Sequence, residues 1–382
     1  MKGDTIMKIL IVRPSSIPMN IKTYNAQELG LAKSLVKKGH VADVVYYTDS
    51  SEYTIQEIDI DNEKKVKIHW VPGNKFLHFA LFDKKILNRI VLDYDIIQTG
   101  EYNQYISYYL LKQNLKPVVI YHGPYFNPKI SSRIMTFLFD LIFLKRYLKI
   151  NPSFISKSNL AEQFLKSKGF LDITTIGVGL DTSALNVNNI ETKIRKDKEK
   201  RLLYVGNIIK GKNILFLLKI MKNINKNKNN VKLYIVGSGP QNYVNKCKKY
   251  ISNNKLEGVV NLVGKVEQKN ISKYYEQSDL FIFPSTREIY GMVMMEAMLF
   301  GVPVMTTLHG GSSTVIKNNI NGYVINNYDV DEWTKKIIEH LENDSVEIQK
   351  NAQKTILNEF VWDELCKKYI NVYEEVLNKN AN

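Results

Sequence analysis

The stretch that decides the fold is "RLLYVGNIIKGKNILFLLKIMKNINKNKNNVKLYIVGSG", residues 201–239. Two apolar runs rich in branched side chains, each closed by a glycine, flank an interval long enough for a helix. Parallel strands need such a crossover, whereas antiparallel strands can be joined by a tight turn. The stretch therefore predicts a strand, a helix and a second strand of a parallel sheet.

The same alternation runs through the whole chain and predicts two such sheets. Strands are predicted at residues 8–13, 41–47, 95–100, 117–123, 153–158, 201–207, 231–239, 259–266, 279–285 and 302–307. Helical patterns occupy residues 25–38 and 362–379, and the Lys-rich stretch 186–201 is typical of a linker. We expect two doubly wound α/β domains, residues 1–185 and 186–360, with ligands at the carboxyl ends of the strands.

Composition agrees with two folded domains and limits the class of protein. The 382 residues exceed what one hydrophobic core usually supports, and 44% of them are hydrophobic. The formal net charge of +15 suits anionic substrates or an anionic membrane surface. No zinc-finger or RNA-recognition pattern accompanies it, so no nucleic-acid partner is expected. Cys247 and Cys366 lie far apart, and no apolar run could span a membrane, so we expect a cytoplasmic protein.

A second stretch carries the chemistry: "STREIYGMVMMEAMLFGVPVMTT", residues 285–307, in which Glu288 and Glu296 bracket Gly291. A helix is predicted to begin at Gly291. The amides of Gly291, Met292 and Val293 would then be unpaired donors suited to an anion. In the alternative interpretation, Glu288 only favours the helix dipole and Glu296 faces solvent.

The order of these segments resembles family 4 retaining glycosyltransferases. The resemblance rests on "LLYVGNIIKGKNILFLL", "LYIVGSGP", "VGKV" and a Glu-x7-Glu motif followed by Gly-Val-Pro, with "MKILIVRPSSIPM", "VVIYHGP" and "ITTIGVGLD" in the first half. It implies the GT-B architecture, in which two facing Rossmann-like domains bind a nucleotide-sugar in the cleft between them. It also implies that the last helix, in residues 361–382, packs back on the first domain.

The resemblance implies roles for individual residues. Glu288 would hold hydroxyls of the donor sugar, Glu296 would accept from the ribose hydroxyls, and Lys212 would bind the diphosphate. His122 would face the donor sugar, although a lone histidine is more often structural, and Lys212 could also belong to a solvated lysine cluster. The other donor-side positions are Gly291, Met292, Val293, Asn207, Lys210, Gly237, Lys265 and Val266.

Three departures from the family pattern are visible. Asn207 stands where the family has an arginine on the diphosphate, so Lys210 is a candidate to compensate. Thr314 stands where the family usually has glutamate. The paired glycines after the first strand are replaced by "SSIPMNIKTYNAQELG" (residues 15–30). That replacement makes Asn20, Lys22 and Tyr24 candidate contacts of the acceptor.

The implied reaction is retaining transfer of a hexose from a nucleotide-diphosphate sugar to a hydroxyl of a saccharide or lipid-linked saccharide. The expected setting is the synthesis of cell-envelope polysaccharide or glycolipid. No metal and no cofactor are expected, since Lys212 and the helix terminus supply the positive charge. Acidic triplets at residues 59–61 and 93–95 lie outside the cleft motifs. A nucleotide-sugar epimerase and a non-catalytic nucleotide-sugar-binding protein remain as alternatives.

The stretch "KISSRIMTFLFDLIFLKRYLKI" (residues 129–150) combines an apolar centre with basic flanks. Such a segment could lie on an anionic membrane as a peripheral contact, at the inner face of the cell membrane. In the alternative interpretation, it is a helix that packs on the first sheet.

Overall fold

The structure is a computed structural model that describes residues 5–21, 26–61, 63–76, 79–126, 130–183, 185, 199–227, 230–343 and 346–381. The chain forms two compact units. Unit 1 comprises Met1–Asp181 and Trp362–Asn382, and unit 2 comprises Thr182–Val361. Most of the predicted linker, residues 186–198, lies outside the described residues.

Unit 1 alternates strands and helices from its first residues. Its strands are β1 (Lys8–Val12), β2 (Val41–Thr48), β3 (Thr54–Asp59), β4 (Lys65–Phe76), β5 (Phe79–Phe82), β6 (Ile96–Gly100), β7 (Val118–His122), β8 (Ser153–Ser156) and β9 (Ile173–Thr175). Its helices are α1 (Gln27–Lys37), α2 (Lys84–Val91), α3 (Tyr105–Gln113), α4 (Ile130–Phe139), α5 (Lys145–Ile150) and α6 (Asn159–Ser167), with a π-helical turn, Asp140–Leu144, between α4 and α5.

The sheet of unit 1 has the order β3-β4-β2-β1-β6-β7-β8-β9, with β5 paired to β4. All of these pairings are parallel except β3 with β4 and β4 with β5. Neither antiparallel strand, β3 or β5, was predicted from the sequence. β3 was missed because its side chains are almost all exposed, so it lacks the apolar run of a buried strand. After β3, the Ile60 amide donates to the Lys64 carbonyl at 2.8 Å, just before β4 begins.

Unit 2 is parallel throughout the residues described. Its strands are β10 (Lys200–Val205), β11 (Val231–Val236), β12 (Val260–Gly264), β13 (Leu280–Phe283), β14 (Val304–Thr306) and β15 (Gly322–Val324), in the order β12-β11-β10-β13-β14-β15. Its helices are α7 (Ile214–Asn227), α8 (Gln241–Asn253), α9 (Gln268–Glu276), α10 (Met292–Leu299), α11 (Gly310–Val315), α12 (Val330–Glu342) and α13 (Val346–Thr355). The order reverses beside β10, so β10 and β13 flank the crevice where ligands of such sheets bind.

The last helix, α14 (Trp362–Ala381), belongs to unit 1. Its buried face carries large aromatic side chains, and the indole of Trp362 packs against the backbone of Gly30 and Gly179. Two side-chain hydrogen bonds fix its register. Ser34 donates to Asp363 at 2.8 Å, and Tyr373 donates to Gln98 at 2.7 Å. The chain therefore completes the core of unit 1 only with its final segment.

Candidate functional site

The entrance of α10 lies at the carboxyl end of β13. The helix begins at Met292, one residue later than predicted, because Gly291 is its N-cap with a φ of 86°. This left-handed conformation is unfavourable for a residue with a side chain. A Cβ there would also lie 3.1 Å from Cε1 of His309. The amides of Met292 and Val293 belong to the first turn, where the helix itself provides no acceptor, so they can donate to an anion.

Lys212 and Glu288 form an ion pair beside this entrance. The Lys212 Nζ lies against Oε2 of Glu288, and Oε1 of Glu288 accepts from the Ile289 amide at 3.0 Å. Both side chains are mostly buried, at 17% exposure each. The Lys212 ammonium also lies 4.9 Å above the ring of Phe283, which is the last residue of β13. Two of the predicted catalytic residues are thus brought together on one side of unit 2.

Backbone contacts between neighbouring loops hold this pair in place. A short 3-10 turn, Lys210–Lys212, follows β10, and the loop that carries Glu288 follows β13. The Gly211 carbonyl accepts from the Thr286 amide at 2.9 Å and from the Thr286 hydroxyl at 3.0 Å. Because β10 and β13 are neighbouring parallel strands, Lys212 and Glu288 lie at the same edge of the sheet, where both strands end.

His309 lies beneath the pair and was not predicted. Its Nδ1 accepts from the Ser312 amide at 3.3 Å, so the neutral ring carries its proton on Nε2, 3.2 Å from the Thr306 hydroxyl. Burial lowers the pKa of His309 to about 4, although the carboxylate of Glu288 opposes the shift. The ring is therefore neutral near pH 7. It caps α11 and packs on the entrance of α10 at the same time.

Glu296 is buried, at 3% exposure, which excludes the interpretation of a solvated helix position. The Tyr275 hydroxyl donates to its Oε2 at 2.9 Å, and the Tyr275 ring stacks on Phe300. A buried carboxylate at a fixed position can accept hydrogen bonds from a bound hydroxyl compound. Contact of Glu296 with ribose stays a prediction.

The remaining donor-side candidates line the carboxyl ends of β10, β11 and β12. Asn207 and Lys210 are exposed after β10, and Lys265 and Val266 follow β12. Gly237 follows β11 with a φ of 143°, and its missing Cβ would lie 1.9 Å from the Gly206 carbonyl oxygen. Close packing of two backbone turns thus explains this glycine even without a ligand.

Unit 1 has its own charged cluster at the carboxyl ends of β6, β7 and β8. Glu101 lies 2.7 Å from Nδ1 of His122 and 3.1 Å from the Lys157 ammonium, and it accepts from the Gly123 amide at 3.2 Å. Burial raises the pKa of the Glu101 carboxyl, but Lys157 and His122 outweigh burial and hold the pKa at about 2. The cluster therefore contains a permanent carboxylate.

The structure places His122 inside this cluster. The imidazole is only 1% exposed and stacks on Phe164, with ring centroids 5.7 Å apart. It is the last residue of β7, as predicted, while the partly exposed members of the cluster are Glu101 and Lys157. Contact of His122 with a donor sugar stays a prediction.

The acceptor-side candidates are described only in part. Asn20 is exposed in the loop after β1, whereas Lys22 and Tyr24 lie outside the described residues. Thr314 donates to the Gly310 carbonyl at 3.0 Å within α11. Among the described residues, no three His, Cys, Asp or Glu side chains converge as metal ligands would.

Glu101, Lys157 and His309 were missed by the sequence analysis. Each lies directly or shortly after a strand, at residues 96–100, 153–156 and 304–306. The signal was available, because ligands of doubly wound sheets bind at those strand ends. What the sequence did not reveal is that side chains so far apart along the chain would meet.

Sequence comparisons show that this chain is similar to known glycosyltransferases. Residues 187–356 match the family model described as Glycosyl transferases group 1. An uncharacterized glycosyltransferase of Methanocaldococcus jannaschii is 27% identical over 374 residues, which cover 90% of this chain and 92% of that protein. The capsular polysaccharide biosynthesis glycosyltransferase CapM of Staphylococcus aureus is 29% identical over 243 residues, which cover 60% of this chain and 61% of that protein.

Solved glycosyltransferase structures superpose on almost the whole length of this chain. The crystal structure of Anabaena HepE in complex with UDP superposes with a TM-score of 0.72 at 18% identity, covering 97% of this chain and all of that one. The predicted GT-B fold class, with Rossmann-like parallel-sheet domains, is confirmed. The sequence similarities support the glycosyltransferase superfamily, and family 4 within it stays a prediction.

Proposed function

We propose that this protein is a retaining glycosyltransferase that moves a hexose from a nucleotide-diphosphate sugar to a hydroxyl of a saccharide or lipid-linked saccharide. The observation that carries the proposal is the Lys212–Glu288 pair at the entrance of α10, inside the residues that match the group 1 model. The names of CapM and of the HepE complex support a polysaccharide setting and a nucleoside diphosphate in the donor.

The donor would bind with its diphosphate at the first turn of α10. The Met292 and Val293 amides donate to phosphate oxygens there, and the Lys212 ammonium neutralises the charge that develops as the diphosphate leaves. Glu288 accepts from hydroxyls of the sugar, and Glu296 accepts from the ribose. His309 cannot contribute a second positive charge near pH 7, because burial keeps it neutral.

The acceptor hydroxyl would attack the anomeric carbon from the face that the diphosphate leaves. The bond from that carbon to the diphosphate oxygen breaks, the new glycosidic bond forms on the same face, and a diphosphate oxygen takes the proton of the acceptor. Such a reaction requires no enzymic nucleophile. Its rate would come from positioning and charge stabilisation by the residues named above, without a metal or cofactor.

A panel of nucleotide-sugars tests the proposal directly. The protein is incubated with each donor, with and without candidate acceptors, and nucleotide release and the anomeric configuration of the product are followed. Release that depends on the acceptor, with retained configuration, supports the proposal. An altered sugar that stays attached to the nucleotide would indicate an epimerase, and binding without turnover would indicate a non-catalytic protein; either result contradicts it.

A further inference from the structure

The helical segment Ile130–Ile150, made of α4, the π-helical turn and α5, has two apolar faces. One face is buried in unit 1, where Phe139, Phe143 and Tyr147 pack in an aromatic cluster. The ring of Phe143 lies 4.7 Å from that of Tyr108. This face fixes the segment rigidly on the domain, as the packing alternative of the sequence analysis expected.

The other face is exposed and forms what we call the apolar stripe. Its members follow one another at intervals of three and one, so they share one side of the helix. They are Ile134, Phe137, Leu138, Leu141 and Ile142, with exposures between 45% and 72%. Folded chains rarely expose so many large apolar side chains side by side unless the surface binds a partner.

The stripe continues into an apolar groove of about 1030 Å³. Leu138 and Ile142 form one wall, and Phe76, Phe79 and Leu81 of the β4–β5 hairpin form the other. This volume matches the upper end of ligand pockets, roughly 300–1,000 Å³. A groove lined in this way suits a hydrocarbon chain.

Charges at the rim favour one kind of occupant. The exposed cations of the segment are Arg133, Lys145, Arg146 and Lys149, and Lys84 and Lys85 border the groove. The carboxylate of Asp83 also borders the groove, where it caps α2 by accepting from the Lys85 and Ile86 amides. The only acid of the described segment, Asp140, pairs with Lys168 at 2.6 Å. A cationic rim around an apolar centre matches anionic lipid. A symmetric contact with a second copy would instead bring the cationic rims together.

The position of the groove relates it to the acceptor side. It lies at the carboxyl end of the sheet of unit 1, where β4 ends and α3 begins after β6. Phe79, in its wall, pairs with Ser15 in the loop after β1, the loop predicted to contact the acceptor. Tyr102, next to Glu101, donates to Asp140 at 3.0 Å.

We propose that the groove takes the hydrocarbon chain of an anionic lipid while the apolar stripe rests on the bilayer that presents it. Resting on the proposed function, this assigns the acceptor hydroxyl to an amphipathic, negatively charged lipid. The segment contacts the bilayer without crossing it: within the residues described, no helix has the length and apolar character needed for a span.

The test is co-sedimentation of the full chain with vesicles of phosphatidylcholine alone or mixed with phosphatidylglycerol. We expect binding only to the mixed vesicles, weakened by salt. Phe137→Asp combined with Leu141→Asp should weaken it by about tenfold or more, and Phe76→Asp, on the opposite wall, several-fold. The matched control is Ile6→Asp, since Ile6 is as exposed as Phe137, at 65%, but precedes β1 at the amino end of the sheet.

The proposal is overturned if the wild type does not bind the mixed vesicles. It is also overturned if the double variant and Ile6→Asp bind the mixed vesicles equally well. It is also overturned if the wild type is a dimer that the double variant dissociates, because a second copy then covers the stripe. Donor binding is measured separately without vesicles. If the wild type does not bind the nucleotide-sugar donor, the proposed function is contradicted. If it binds the donor but not the vesicles, only the lipid inference is contradicted.

Discussion

At the scale of single residues, the defining feature is a cation and a carboxylate that contact each other where the ligand is expected. The Lys212 ammonium is paired with the Glu288 carboxylate. A bound diphosphate would compete for that ammonium with two negative charges against one. We therefore expect donor binding to move Lys212 from the carboxylate to the phosphate and to free Glu288 for sugar hydroxyls.

The first prediction concerns Lys212→Ala. Removing one charge that stabilises the leaving group should lower kcat by about 100-fold, because such groups act mainly in the transition state. Lys219→Ala is the matched control, since Lys219 is an exposed lysine on α7, seven residues further along the chain. Steady-state kinetics with the best donor of the panel measures both. Equal kcat values for the two variants would remove Lys212 from the mechanism.

The second prediction concerns Glu101→Gln. The variant leaves His122 and Lys157 without the carboxylate that now faces both, so the free energy of unfolding of unit 1 should fall by about 2 kcal/mol. Denaturant unfolding measures it. Glu57→Gln is the control, because the Glu57–Lys65 pair is exposed and should contribute too little to shift the midpoint. If the unfolding midpoint of Glu101→Gln stays at the wild-type value, as expected for Glu57→Gln, the Glu101–His122–Lys157 cluster does not stabilise unit 1.

At the scale of elements, the site is a junction of two helix starts. α10 begins against the His309 ring, and the same ring caps α11 through its Nδ1. Neither helix has an acidic residue in its first turn. A Cβ on Gly291 would lie 3.1–3.4 Å from His309, Phe283 and Glu288, so a side chain there would have to push its neighbours aside.

The third prediction concerns Gly291→Ala. The positive φ and the 3.1 Å approach to His309 should together cost about 1–2 kcal/mol of unfolding free energy and should weaken donor binding by displacing the first turn of α10. Gly258→Ala is the control, because a Cβ at Gly258 meets no atom within 4 Å. Thermal unfolding and donor titration give the two quantities. Unchanged values for Gly291→Ala would mean that the helix entrance tolerates a different geometry.

The fourth prediction is a pH dependence of unit 2. Burial lowers the pKa of His309 and of His340 to about 4 each, below the value of about 6.5 in an unfolded chain. The unfolded state therefore binds more protons between these values, so stability is full above pH 6.5 and falls as the pH drops toward 4. Each histidine can contribute at most about 3 kcal/mol to this loss.

The variant that tests this dependence is His309→Asn. Asparagine keeps an oxygen that can cap α11 but does not titrate in this range. Urea unfolding at pH 7 and pH 4.5 should show a smaller loss of stability for the variant than for the wild type. Equal losses in both proteins would assign the acid sensitivity to other groups.

At the scale of the whole molecule, the chain leaves unit 1, builds unit 2 and returns. α14 contributes Trp362, Tyr369 and Tyr373 to the core of unit 1, so this core is complete only when the C-terminal residues are present. The two units have separate sheets, and each is a compact unit of its own. Local damage should therefore stay within the unit that contains it.

The fifth prediction compares two buried tryptophans. Trp362→Ala should destabilise unit 1 by about 3–5 kcal/mol, and Trp333→Ala should destabilise unit 2 by a similar amount, because both remove a large core side chain. Hydrogen exchange measures the effect element by element. Faster exchange in β1 and α1 for Trp362→Ala, but in α7 and β10 for Trp333→Ala, is expected. Exchange that rises throughout the chain in both variants would show a single cooperative core.

The predictability of the fold follows from how apolar each element is. Strands such as β1, β7 and β10 were found within two residues, because strands covered on both faces are continuous apolar runs. β3 was missed, because an edge strand with exposed side chains resembles a loop in composition. β4 and β5 were also missed, although β4 lies inside the sheet and both strands bury part of their side chains. The sequence of residues 129–150 showed basic flanks and an apolar centre, but the two distinct faces of Ile130–Ile150 became visible only from its packing.

The sequence by itself determined the two α/β domains and the local placement of Glu288, Lys212 and the α10 entrance, because strand and helix periodicity and glycine position are local properties of the chain. The tertiary structure alone decided that Glu101, His122 and Lys157 meet, that His309 is buried and neutral beneath Gly291, and that one face of Ile130–Ile150 stays exposed. The physical reason is that contact and burial depend on which distant strand ends become neighbours, and no short-range pattern encodes the pairing of strands separated by whole helices.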